Sequence, residues 1–253
     1  MPKDVRMHKT RKAQFIVPLL EDNGRFFMFF FDGTIFILIP AIILTLYAQY
    51  KVKTTYSKYS KILAKNGLSG KETAEELLLR NNLSNIKIET IEGRLSDHYD
   101  PRHKKLAISK EIYYGRSLAA QGIVAHEIGH ALQDAKNYFP LSLRSNLVPV
   151  TNIGSRMAVP LFLIGFIFSS PALMDIGIMA FSLAVLFQLV TLPVEFDASK
   201  RAVNLLVGAN IVSDTEEINS VKKVLNAAAL TYVAATSVAV FQLLRLIVLR
   251  NRR

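Results

Sequence analysis

Four stretches of this chain, over residues 26–48, 157–174, 176–194 and 227–249, are apolar for about the twenty residues a helix needs to cross a bilayer. Lipid offers no hydrogen bonds to an exposed backbone, so such stretches must close their own ladders, and at this length they predict helices. Asp32, Gly33 and Pro40 interrupt the first, and Arg156 and Pro160 shorten the second. Ser169, Ser170, Pro171 and Asp175 predict a tight turn between the second and third. Arg245 lies close enough to the end of the fourth to snorkel to an interface. The chain is 51% hydrophobic although 20% of its residues are charged, as expected for apolar spans separated by polar segments.

The expected fold is therefore a mainly α membrane protein with about four transmembrane helices and one polar domain. A basic arm (1–25) precedes the first span (26–48), and a polar domain (49–156) follows. A transmembrane hairpin (157–194), a connecting segment with a helix (195–226) and a last span (227–249) complete the chain. With four crossings, 49–156 and 195–226 share one side of the membrane. Twelve lysines and arginines flank the spans there, among them Lys51, Lys58, Arg144, Arg156 and Lys223, against Arg250, Arg252 and Arg253 after the last span. The positive-inside rule then places the polar domain in the cytoplasm, although the basic N-terminal arm counts the other way. The net charge of +11 could suggest nucleic acid, but its basic residues are scattered or beside apolar spans, with no nucleic-acid-binding motif. The partners expected are the bilayer and a polypeptide, with no nucleic acid.

Within the polar domain, Ser69-Gly70-Lys71-Glu72 has the form of a capping box and predicts a helix to about Arg80. Ile86–Glu89 and Leu106–Ser109 predict short strands, with Asp100-Pro101 as a turn between them. A further helix is expected from about Ser117 to Ala135.

On that last helix lies His126-Glu127-Ile128-Gly129-His130, an HExxH pattern. Residues four apart share a helical face, so both imidazoles can reach one ion. Glu127, beside the first ligand, can take a proton from a metal-bound water, whose pKa zinc lowers to about 7. The chain has no cysteine, which excludes disulfides, thiolate ligands and cysteine nucleophiles. A catalytic zinc needs a third protein ligand and one open position. No histidine follows residue 130, so a carboxylate is required, and Glu195 directly after the third span is the best candidate. Asp197 is about 200° further round a helix and is expected to pair with Arg201 instead. His98 or Tyr99 in the polar Asp97–Pro101 segment could donate to an oxyanion, or that segment could be purely structural. His8 and His103 are expected to be exposed and without a role.

The chain resembles the YugP-type family of bacterial membrane zinc metallopeptidases, itself similar to the HtpX-like and CAAX-prenyl-protease groups. The stretches that carry this are YAQYKVK at 47–53, LSDHYDP at 95–101, VAHEIGHALQD at 124–134, LVPV at 147–150, FQLVTLPVEFDAS at 187–199 and AALTYVA at 228–234. The resemblance implies a membrane-bound peptidase with a small zincin-like α+β domain and a single zinc per chain. The HtpX-like pattern has an aspartate four residues after its glutamate ligand, where it supports a histidine. Here that position is Ser199, so support must come from its hydroxyl or from elsewhere. Residues 1–27 fall outside the similarity, and Met28 is expected to be the natural start. Peptides from upstream of Met28 in the native protein would overturn that. The expected function is zinc-dependent endopeptidase; the rival is a non-catalytic membrane scaffold with a structural zinc.

Overall fold

A computed structural model describes residues 32–252. The basic arm, the start of the first apolar stretch, Met28 and His8 lie outside the described residues. In chain order, a 3-10 helix (Gly33–Leu38) leads into α1 (Ile39–Tyr59), followed by α2 (Gly70–Arg80), β1 (Lys87–Ile91), β2 (His98–Asp100) and β3 (Lys105–Ser109). Helices α3 (Lys110–Tyr114), α4 (Leu118–Ala135), α5 (Phe139–Ile167), α6 (Pro171–Gly208) and α7 (Thr215–Asn251) complete the described chain. Four of its helical stretches, Gly33–Tyr59, α5, α6 and α7, are long and apolar enough to cross a membrane. The protein is a mainly α membrane protein with a small α+β domain.

Two compact units divide the chain. One contains Pro149–Leu186, the chain from Val238 onward and the described residues up to Ile42. Its buried cluster is Phe162, Phe166, Met174, Leu246 and Leu249. A Cβ at Gly165 would lie 2.6 Å from the Met174 nitrogen, and one at Gly177 2.7 Å from that of Phe162. Glycine lets these backbones approach closely, as is usual between helices in lipid. Arg245 departs from expectation: it is only 5% exposed, donates to Thr34 Oγ1 (3.2 Å) and lies 3.5 Å from Asp32. A guanidinium that finds a carboxylate and a hydroxyl within the unit has no need to snorkel.

The other unit, Ile43–Val148 with Phe187–Ser237, holds the larger core. The capping box is present: Glu72 N donates to Ser69 Oγ (3.2 Å) and Ser69 N to Glu72 Oε2 (2.7 Å). Ser117 caps α4 by accepting from Ala120 N at 3.2 Å. Strand β3 is central, parallel to β1 and antiparallel to β2, and is mostly buried. The polar segment expected to be only a turn thus contains an edge strand, His98–Asp100. Three residues are too short for an alternating pattern, and pairing with Lys105–Ala107 is what orders them.

One contact in this unit governs the rest. A Cβ at Gly129 would lie 2.6 Å from the Ala198 carbonyl oxygen, so only glycine lets α4 and α6 meet this closely. Glu195 stands one helical turn before Ala198, and Gly129 stands between the two motif histidines.

Candidate metal centre

The close approach of α4 and α6 brings three side chains together. Glu195 Oε2 lies 3.2 Å from His126 Nε2 and 3.5 Å from His130 Nε2. One ligand atom from each of the three falls within 4.8 Å of the others. Tetrahedral zinc with bonds of about 2.0–2.1 Å separates its ligand atoms by about 3.3 Å, so the spacing fits such an ion. Two imidazoles and one carboxylate are also a donor set that zinc accepts. Asp197 stands outside this group and pairs with Arg201, four residues on.

The surrounding hydrogen bonds set the imidazole orientations. Gln133 Nε2 lies 2.8 Å from both the Val194 carbonyl and Asp197 Oδ2. Both of those are acceptors only, so this end of the amide must be the NH2 and Oε1 must face His130. His130 Nδ1 therefore donates to Gln133 Oε1 (2.9 Å), and its Nε2 keeps a lone pair for an ion. Ser199 Oγ lies 3.2 Å from His126 Nδ1 and fixes the orientation of the other imidazole. Arg144 donates to Glu195 Oε1 at 3.0 Å, compensating a carboxylate that is only 2% exposed and leaving Oε2 toward the histidines.

Glu127 lies outside the ligand group, with Oε2 accepting from the Tyr99 backbone N–H at 3.0 Å. Burial raises its carboxyl pKa above the ordinary value; the two imidazoles oppose this, while the Glu195 and Asp97 charges reinforce it. Tyr99 offers the site its backbone, since its hydroxyl donates to Asp134 Oδ2 (2.7 Å). His98 is exposed and its Nδ1 lies 2.9 Å from the Ser96 carbonyl. His103 is exposed and paired with Asp100. Asp97 accepts from the backbone and hydroxyl of Ser109 through Oδ1, while its buried Oδ2 has no partner among the described residues. Asp97, His98, Tyr99 and Glu127 border a cleft of about 570 Å³, also lined by Arg144 and Tyr232.

Gln133, Arg144 and Tyr232 were not anticipated from the sequence. For Gln133 a signal existed, since it follows His130 by three residues on the same helical face. Arg144 and Tyr232 are distant in the chain, and no local pattern marks them.

The profile of the family described as "putative neutral zinc metallopeptidase" matches residues 34–251. The chain is 47% identical over 215 residues to the "putative membrane protease YugP" of Bacillus subtilis (strain 168), covering 85% of this chain and 95% of that protein. No solved structure matches. The agreement of profile, relative and three-residue cluster leads to one conclusion: the chain belongs to the YugP-type family, described as "putative neutral zinc metallopeptidase".

Proposed function

We propose that this protein is a membrane-embedded, zinc-dependent endopeptidase, with His126, His130 and Glu195 holding one zinc per chain and Glu127 as the general base. The observation that carries this reading is the three-residue cluster, at zinc-like spacing, beside a buried carboxyl that is not part of it. Bound zinc supplies Lewis acidity toward a water and toward the scissile carbonyl. Glu127 takes a proton from that water as its oxygen attacks the carbonyl carbon, and returns it to the nitrogen as the C–N bond breaks. A carboxyl raised by burial suits both halves of this transfer. Gln133 and Ser199 hold the imidazoles, with Asp197 and Arg201 behind Gln133. The Tyr99 N–H is positioned to bind a substrate carbonyl once Glu127 turns to the water. Substrates are membrane-associated polypeptides, because Glu195 directly follows an apolar stretch in sequence.

Protein purified in detergent should contain one zinc per chain and cleave a membrane-protein substrate. A chelator should abolish both, and added zinc should restore both. Stoichiometric zinc without hydrolysis of any polypeptide would favour the structural-zinc scaffold, and absence of zinc would overturn the proposal.

The polar domain faces the cytoplasm of a bacterial membrane in this reading, from the excess of basic residues beside the spans. The chain lacks cysteine, so a single cysteine placed at Lys58 reports the side directly. Blocked labelling by an impermeant thiol reagent in intact cells is expected; ready labelling reverses the orientation.

A further inference from the structure

Beside the cleft lies a second pocket of about 220 Å³, which shares Asp97, His126, Glu127 and Tyr232 with it. Three helical faces form its walls. Val52 and Tyr56 are four apart on α1, Ile123 and Glu127 on α4, and Val224, Ala228 and Tyr232 on α7. Leu95, two residues before Asp97, adds a further apolar contact. The lining is largely aliphatic and aromatic; Asp97 and the two motif residues add charged or ionisable groups, and Tyr56, Thr231 and Tyr232 add hydroxyls. An aspartate guest would lose its water here beside the Asp97 and Glu127 carboxyl groups, which offer it no compensating charge. Apolar cavities of about 150 Å³ accommodate a benzene ring, so this pocket has room for an isobutyl or benzyl group.

We propose that this pocket is a specificity subsite, receiving an apolar side chain of the substrate residue that flanks the scissile bond. The inference rests on the peptidase reading above, because the base Glu127 lines the pocket and ties its occupant to the bond being cut. Leucine- or phenylalanine-like residues are selected; alanine leaves the pocket unfilled, and aspartate is rejected.

The test is binding without turnover. The zinc-loaded Glu127→Gln protein in detergent is titrated with fluorescent peptides that differ at one position, carrying Ala, Leu, Phe or Asp, and anisotropy gives each Kd. Leu and Phe peptides are expected to bind about ten- to a hundred-fold more tightly than the Ala peptide, and the Asp peptide no better than it. Ala228→Leu in the same background narrows the pocket and brings the Leu-to-Ala ratio to about one. Val224→Ala widens it and shifts preference from Leu toward Phe, a gain that misfolding cannot mimic. Equal affinities across the series, or preferences unmoved by both substitutions, would overturn the subsite. Displacement of a bound lipid acyl chain by Ala228→Leu with peptide selectivity unchanged would overturn it too. Selective binding by a protein whose wild type cleaves nothing leaves the subsite standing while the catalytic reading falls. Cleavage with no side-chain preference gives the converse.

Discussion

Glu127→Gln lowers peptide hydrolysis by about 10³-fold or more and leaves one zinc per chain. A positioned general acid–base typically contributes about 10²–10⁴-fold, equivalent to about 3–5 kcal/mol of barrier. Glu127 carries both proton transfers in the proposed mechanism, so the upper part of that range applies. Its carboxyl lies outside the His126, His130 and Glu195 group, so its loss removes no ligand. Glutamine keeps the side-chain length and a carbonyl oxygen that still accepts from the Tyr99 N–H, so the local structure survives. Metal analysis beside turnover of one polypeptide substrate, wild type against variant, checks both halves. Hydrolysis that survives the substitution would remove Glu127 from the chemistry. Loss of zinc together with hydrolysis would make it part of the metal site instead.

Glu195→Ala removes zinc and activity together, whereas Asp197→Asn keeps measurable zinc. Alanine at 195 takes away one of the three proposed ligands and also leaves the Arg144 guanidinium without its carboxylate. Arg144 is 29% exposed and can be hydrated, so the cost to folding stays below the value for a fully buried pair, about 3–5 kcal/mol, and stability falls along with metal affinity. Glu195→Gln separates the two effects: it retains the volume and an acceptor for Arg144 while replacing a charged ligand with a poor neutral one. Asp197 reaches His130 only through Gln133, and supports of that kind typically alter metal affinity by about 10–100-fold. Zinc titration with a competing chelator resolves the ranking. Stoichiometric zinc in folded Glu195→Ala would place the third ligand elsewhere, and a greater loss in Asp197→Asn would reverse the two carboxylates.

Much of this architecture was legible in local pattern. Long apolar runs have few alternatives in lipid, and the four long apolar helices follow from that. The capping box at Ser69 and the cap at Ser117 are satisfied by atoms within three residues, so their helices begin where the sequence places them. His126 and His130 share a face because helical geometry alone puts residues four apart together. The 200° between Glu195 and Asp197 likewise separates a residue aimed at the histidines from one that pairs with Arg201.

What the sequence could not decide are contacts between distant segments. Strand β2 exists because β3 offers it a ladder, and its Tyr99 N–H meets Glu127 only across that packing. Arg245 turned inward because Thr34 and Asp32 stand beside it, over two hundred residues away in the chain. The metal-site geometry has the same origin. The absence of a Cβ at Gly129 lets α6 close on α4, and that approach sets the distance from Glu195 to both histidines. The sequence by itself determined which side chains can bind an ion and which can move a proton, because those properties are chemical and local. Only the tertiary structure decided how closely Glu195 approaches them, and that Gln133 and Arg144 hold them in place, because hydrogen bonds a few ångströms long depend on how closely two backbones can pack.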